Sequence, residues 1–465
     1  MTKDLIHDMV VSWANTIGTV NSTDEIIQWI EEKNNTIRVN IKKISLAACA
    51  PWYYDADKGI ITNRSQSFFS LSGFQEFSNR KLVLEQPIIL QNEIGYLGII
   101  CKKINGVLNF LMQAKIEPGN VNKVQLSPTI QATRSNFTQK HGGKKPPYLD
   151  YFLNASQHTI VVDQIQSEQS SRFYKKRNRN IIILVDEDVE ILPSHKWMTL
   201  GQIKTLMKLD NIVNMDTRTV LSCIPYFTDG FSAKDRDSLR MYFSDPALFE
   251  SIFGDRDKSA LPEIYHYINN YKMFDDTEAK LTPLHELESW VVGEDQISCS
   301  SGCSFKVIFC DIEIEGREVV HWTQPLFEAI GSATFGLIMC NVDGVRKFLV
   351  HATPEAGCFD KLELGPSVQL EPSFDMENAN PVINLFFKFR DEPDCIIRDV
   401  MLSEEGGRFY CEQNHNVLML VAYDQVVKDL PEGYFLVDYR TLNRLVQVNN
   451  CLNIQLRNLL SLLEV

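Results

Sequence analysis

Residues 95–104 and 107–116 are runs of β-branched and aromatic residues separated by Asn105-Gly106. That dipeptide suits a type I′ turn, so the pattern predicts a β-hairpin. The same pattern returns around Asp343-Gly344. Continuous apolar runs at 181–185 and 417–421 predict further strands. Elsewhere the period lengthens to that of a helix. Leu200, Ile203, Leu206 and Met207 share one face of a helix starting near Thr199, and Ser22-Thr-Asp-Glu25 is a capping box before Ile26, Ile27 and Ile30. Residues 226–290 are richer in charge and aromatics, with helical periodicity.

The patterns recur because the chain contains itself twice. Residues 86–135 align without a gap with 324–373, and sixteen of the fifty positions are identical. About three would be expected from average residue usage. Gln86-Pro87 returns as Gln324-Pro325, Gly98 as Gly336, Glu117 as Glu355, Gly119 as Gly357 and Pro128 as Pro366. Further on, Ser167-Glu168 returns as Ser403-Glu404, Arg172-Phe173-Tyr174 as Arg408-Phe409-Tyr410, and Asn214 and Arg218 as Asn453 and Arg457. So long a period means duplicated domains and not a solenoid. We expect mixed α and β in each copy: a first domain over 1–225, a helical connector over 226–285 and a second domain over 286–465.

Alternation also says where polar side chains point. On the second hairpin strand Gln113, Lys115 and, if the strand continues, Glu117 share one face, followed by the turn Pro118-Gly119-Asn120. A solvated sheet face is the plain alternative. Next, Gln125, Ser127, Thr129, Gln131, Thr133 and Ser135 alternate with Leu126, Pro128, Ile130, Ala132 and Arg134. Six uncharged hydrogen-bonding residues on one face suggest a pocket wall for a ligand rich in hydroxyls and carbonyls. Pro128 makes that part an edge or a bulge. The second copy replaces Gln113 by His351 and Lys115 by Thr353 but keeps Glu355. The first copy is therefore the expected working pocket. His141-Gly-Gly-Lys-Lys145 is a candidate diphosphate contact, or a basic surface loop.

Composition narrows the classes. The 465 residues are 44% hydrophobic and carry 46 Lys+Arg against 60 Asp+Glu, a net charge of −14. That balance argues against a general nucleic-acid binder. No apolar run is long enough for a membrane span, and Met1-Thr2-Lys3-Asp4 lacks a signal-peptide layout, so a cytoplasmic protein is expected. The eleven cysteines are odd in number and scattered. Cys299 and Cys303 alone look paired, but no second pair follows for zinc, and free buried thiols are expected. Neither a Walker-type phosphate loop nor a dinucleotide fingerprint is present.

From Glu85-Gln-Pro87 through His141-Gly-Gly143 the sequence closely resembles the NDP-hexose 2,3-dehydratases, and the likeness extends, more weakly, through the second copy. The resemblance implies two tandem Nudix-like domains, a homodimer, and dTDP-4-keto-6-deoxyglucose as substrate. It implies loss of the C2 hydroxyl as water without metal or redox cofactor, with a partner ketoreductase reducing the 3,4-diketo product. The Nudix box is absent from both copies. Chemistry of this kind needs a base at C3, a proton donor and a group to hold enolate charge. Lys115, Glu117 and His141 are the candidates for these roles. Gln113, Gly119, Asn120, Gln125, Ser127, Thr129, Gln131, Thr133, Ser135 and Asn136 are candidate substrate contacts. Trp52, Phe68 or Tyr148 is a candidate to stack on the base, and Arg134 and Arg172 are candidates for the diphosphate. Trp52 as core, Arg172 as structural and Glu117 as a turn residue are the alternatives. A nucleotide-sugar diphosphatase and a non-catalytic sugar-nucleotide binder are the competing functions.

Overall fold

The computed structural model describes residues 1–65, 68–133, 145–227, 229–254, 259–300, 302–317 and 319–465. Both predicted hairpins form. Strands Gly95–Ile104 and Val107–Ile116 pair antiparallel, and Asn105 and Gly106 take φ of 52° and 82°, as a type I′ turn requires. Asp343 and Gly344 do the same at 49° and 79°. The capping boxes also form: Ser22 with Glu25 begins helix Thr23–Thr36, and Thr199 with Gln202 begins helix Leu200–Leu206.

Each hairpin lies at the centre of a seven-stranded mixed sheet. The first runs Thr159–Ser167, Arg177–Leu184, Gly95–Ile104, Val107–Ile116, His195–Met198. The short strands Val124–Ser127 and Ile130–Ala132 attach to the two hairpin strands. The second runs Ile396–Ser403, Gln413–Leu420, Thr334–Val342, Val345–Pro354, Tyr434–Asp438, with Leu362–Pro366 and Val368–Leu370 attached in the same way. One pair in each is parallel, Arg177–Leu184 with Gly95–Ile104 and Gln413–Leu420 with Thr334–Val342. The mixed α and β architecture and the duplication are thus as the sequence predicts. Pro128 explains a break: the chain leaves one hairpin strand after Ser127 and joins the other at Ile130.

Two five-stranded sheets lock the copies together. Strand Val39–Ile44 precedes the first copy's strands Trp52–Asp55, Ile60–Asn63, Ser70–Ser78 and Lys81–Leu90, yet it pairs with Phe305–Ile314 of the second copy. Reciprocally, Glu278–Thr282 pairs with Ser70–Ser78 of the first. The stretch between the copies contains helices Ala233–Arg240, Pro246–Phe253 and Ala260–Phe274, and then this exchanged strand.

At the centre, helix Met215–Ser222 packs against its repeat, helix Ile454–Ser461, and every residue of both is buried. Asn214 and Asn453 cap them, each side chain accepting from a backbone N–H three residues on. Arg218 and Arg457, both fully buried, reach into the opposite copy. Arg218 donates to the Ser403 carbonyl at 2.8 Å, and Arg457 donates to the Ser167 carbonyl and to Thr219 of the facing helix.

The retained glycines mark where backbone meets backbone. Gly119 N–H donates to the Gly406 carbonyl at 2.7 Å, and Gly357 N–H to the Ser170 carbonyl at 2.7 Å. A Cβ on Gly119 would lie 1.5 Å from the Phe409 carbonyl oxygen, and one on Gly357 1.8 Å from that of Phe173. The cysteine expectation needs one correction. Cys299 and Cys303 form a disulfide, because Gly302 at φ 76° turns the chain back and brings the two Cα atoms to 5.9 Å. Of the free cysteines, most are buried as expected, whereas Cys411 is exposed. No helix among the described residues is long and apolar enough to cross a membrane.

Gly119→Ala must push the two backbones apart, and we expect a loss of about 2 kcal/mol or more. A control is Gly106→Ala, where a Cβ would meet nothing within 4 Å. Only its left-handed conformation is penalised there, at about 1–2 kcal/mol. Thermal unfolding of the two variants checks the order; Gly119→Ala matching wild type would contradict the interlock.

Candidate active site

Strand Val107–Ile116 sorts its side chains as alternation requires. Leu108, Phe110, Met112 and Ile116 enter the main core, while Gln113 and Lys115 lie on the other face. In register, Lys115 stands opposite Gln125, and Gln113 opposite Ser127 and His195. Just past the strand, Glu117 accepts from Lys115 Nζ at 3.0 Å. Arg317, from the second copy, donates to the Ile116 carbonyl at 2.5 Å and lies 4.0 Å from Glu117.

Across the seam Glu405 meets Glu117. The Gly119–Gly406 backbone contact brings the two carboxyls together, and the Gly407 N–H donates to Glu405 Oε1 at 2.9 Å. Their protonation states diverge. Burial works to raise the pKa of Glu117, but Lys115 beside it, a hydrogen bond from Glu405 and the Arg317 charge prevail and hold it below the ordinary carboxylate range. Burial and the Glu117 charge push Glu405 well up. The pair is therefore one carboxylate and one carboxylic acid, the arrangement by which a single pH supports a base and an acid side by side. Behind it, Asp216 is 1% exposed, has one carboxylate oxygen without a partner, and is held protonated by burial and by nearby Glu168 and Glu117.

The polar wall divides between two duties. Gln125 donates to Ser403 Oγ of the second copy at 2.7 Å. Ser127 donates to Gln131 at 3.0 Å, and Asn214 donates to Ser127 at 3.2 Å. Thr129, by contrast, is spent on the backbone: it accepts from Ile100 N–H at 2.9 Å and donates to the Leu111 carbonyl at 2.5 Å. Ser367 does the same in the repeat. Thr133 is half-buried just past its strand. Gly119 belongs to the seam described above. Asn120 ties its own turn together by donating to the Lys123 carbonyl at 2.7 Å.

The aromatic and arginine candidates sit elsewhere. Trp52 is 4% exposed, packs on Phe69 at 4.7 Å between ring centroids and donates its indole N–H to the Thr323 carbonyl, so it is a core residue. Phe68 is exposed beside it. The Tyr148 hydroxyl donates to the Glu190 carbonyl at 2.8 Å, and its ring meets His195 edge-on at 4.8 Å. Arg172 is buried, stacked on Phe305 and paired with Glu371 at 2.9 Å, and its repeat Arg408 stacks likewise on Phe69. A buried, paired arginine with a structural counterpart serves the seam, because its charge is already matched. Arg134, Ser135, Asn136 and His141 lie outside the described residues.

Sequence reading missed Glu405, Asp216, Arg317 and Ser403. One signal was legible: where the first copy has Gln169-Ser170-Ser171, the second has Glu405-Gly406-Gly407. Open cavities of about 510 and 470 Å³ lie away from this cluster, one lined by Glu263, His266 and Tyr434, the other by Lys306 and the disulfide. Neither lining brings a carboxylate and a lysine together, so the chemistry favours the Lys115–Glu117–Glu405 cluster over these two openings.

The repeat of this site is built differently. Glu355 accepts from Gln369 at 3.0 Å where Glu117 has Lys115, and His351 stacks on Tyr434 at 4.1 Å. Burial, reinforced by Glu363, pushes Glu355 up to about 8, and burial pushes Glu363 up to about 7. The folded state holds these protons while the unfolded chain releases them near 4.5. Their stabilisation is complete below that pH and is lost as pH rises through 7 and 8. Glu355→Gln should therefore raise Tm relative to wild type more at pH 8 than at pH 5. An identical difference at both pH values, by thermal melts, would count against buried protonated glutamates.

The model of the NDP-hexose 2,3-dehydratase family matches residues 23–224 and again 261–463. Three relatives match nearly end to end, each a dTDP-4-dehydro-6-deoxy-alpha-D-glucopyranose 2,3-dehydratase. The protein from Saccharopolyspora spinosa is 37% identical over 449 residues, 95% of this chain and 91% of its own. That from Amycolatopsis orientalis is 33% identical over 470 residues, 98% and 93% of the two chains. That from Streptomyces violaceoruber is 33% identical over 438 residues, 93% and 95%. With both copies matched by the family model and three relatives matched nearly end to end, the chain belongs to the NDP-hexose 2,3-dehydratase family.

Proposed function

We propose that this protein dehydrates dTDP-4-keto-6-deoxyglucose across C2 and C3 in deoxysugar biosynthesis, using the first copy's site. The carrying observation is the Lys115–Glu117 pair, a cation and a carboxylate 3.0 Å apart at the end of one strand, of which the repeat keeps only the carboxylate. The 4-keto group acidifies the C3 proton. Glu117 takes that proton, and Lys115 moves onto the C4 oxygen as charge develops there, which also frees Glu117 to act as a stronger base. The C2 hydroxyl leaves as water, and the enol tautomerises to a 3,4-diketo-2,6-dideoxy sugar. Protons move and no electrons are exchanged with a cofactor, so the step needs neither a redox group nor a metal to balance.

The seam residues Gln125, Ser127 and Gln131 are the proposed polar contacts, with Gln113 beside them; the Nudix-like ancestry, the homodimer, the cytoplasmic setting and a downstream 3-ketoreductase belong to the same reading. Incubation with dTDP-4-keto-6-deoxyglucose in EDTA and deuterated water, with an NADPH-dependent 3-ketoreductase as trap, tests it by mass spectrometry. The expected product is 2-deoxygenated and carries deuterium at C2. Glu117→Gln should lower kcat by about 10²–10⁴-fold and Lys115→Ala by about 10²–10³-fold. Metal-dependent release of dTMP would instead establish a diphosphatase, and tight binding without turnover a sugar-nucleotide binder.

A further inference from the structure

The two seams of the molecule are related by its internal repeat, and of three places that face one another they differ at two. On one seam stand Lys115, Glu117 and, from the second copy, Glu405; the corresponding residues on the other are Thr353, Glu355 and, from the first copy, Gln169. The backbone that positions them is the same on both sides, a glycine N–H donating at 2.7 Å to the carbonyl that follows position 405 or 169. Fold alone therefore does not require an acid at 405, since the equivalent place accepts an amide that is 2% exposed. Asp216 cannot substitute for it at the surface of a site, because it is sealed inside helix Met215–Ser222. Glu405 is half-buried beside Glu117, with Arg317, side chain 33% exposed, at the rim.

We propose that Glu405, delivered by the second copy, is the general acid of the first copy's site and protonates the departing C2 oxygen. This rests on the dehydratase reading above. Glu117 takes the C3 proton, the C–H electron pair becomes the C2–C3 double bond through the enolate, and the C2–O bond breaks. Its oxygen takes the Glu405 proton and leaves as water. In the tautomerisation the C3 enol hydroxyl returns a proton to the Glu405 carboxylate, and Glu117, its proton exchanged with solvent, delivers one to C2. Both carboxyls end as they began, and the net change is loss of one water. The acid's pKa raised by burial and by the Glu117 charge agrees with that role. The duplication then has a chemical use: each copy alone holds half of the acid–base pair.

The test separates proton removal from leaving-group protonation. Glu405→Gln keeps size and hydrogen bonding but has no acidic proton. With the 4-keto sugar nucleotide in deuterated water, this variant should still exchange the C3 hydrogen for deuterium while water elimination falls by about 10²–10⁴-fold. Glu117→Gln should lose both. A substrate carrying fluorine at C2 expels fluoride, which needs no proton, so Glu405→Gln should release fluoride near the wild-type rate and Glu117→Gln should not. That rescue also shows the variant is folded. Water elimination by Glu405→Gln at the wild-type rate overturns the role of Glu405 and leaves the dehydratase reading standing. Equal loss of water and fluoride elimination assigns Glu405 to structure and overturns it as well. Wild-type protein inert toward the keto sugar overturns the substrate reading and the proposal together.

Discussion

Two guanidinium groups buried at the centre of the molecule constrain everything around them. A charge taken fully out of water must find partners, and breaking such a contact costs about 3–5 kcal/mol. Arg218 and Arg457 find theirs on the opposite copy, at the carbonyls of Ser403 and Ser167. Neither copy can keep its own central helix buried without the other. The exchanged strands Val39–Ile44 and Glu278–Thr282 add backbone pairing to the same bond. The chain is two folds by descent and one by physics.

That constraint places the chemistry. Because Ser403 must reach Arg218 and Gln125, the residues after it, Glu404 to Gly407, pass the first copy's turn at Gly119-Asn120. Gly119 has no Cβ to prevent the approach, and Glu405 arrives beside Glu117. On the equivalent seam the same backbone contact holds Gln169 and Glu355, where Thr353 replaces the lysine and burial raises the pKa of Glu355 and Glu363. One architecture thus carries Lys115, Glu117 and Glu405 on one side and Thr353, Glu355 and Gln169 on the other.

The polar alternation over 125–133 shows how far pattern reading goes. Gln125, Ser127 and Thr129 are buried and Gln131 partly so. The alternation could not say whether their partners are a ligand, the other copy or their own backbone. Thr129 bonds the hairpin strands, Gln125 bonds Ser403, and Ser127 and Gln131 meet Asn214. Each satisfies the same rule that a buried polar group must be paired, so the sequence pattern is identical for all three.

Whatever depends on neighbours along the chain was legible before any fold was known. The type I′ turns at Asn105-Gly106 and Asp343-Gly344, the caps at Ser22 and Thr199, the duplication and the closeness of Lys115 to Glu117 follow from local geometry and period. The family likeness was legible for the same reason, since it rests on long ordered matches. Packing settled which strands were exchanged, that Trp52 and Arg172 are committed to core and seam, that Cys299 bonds Cys303, and that Glu405 meets Glu117. Those outcomes depend on which surfaces of two copies face one another. Periodicity tells a residue which way to point, and only the packed molecule tells it what it meets.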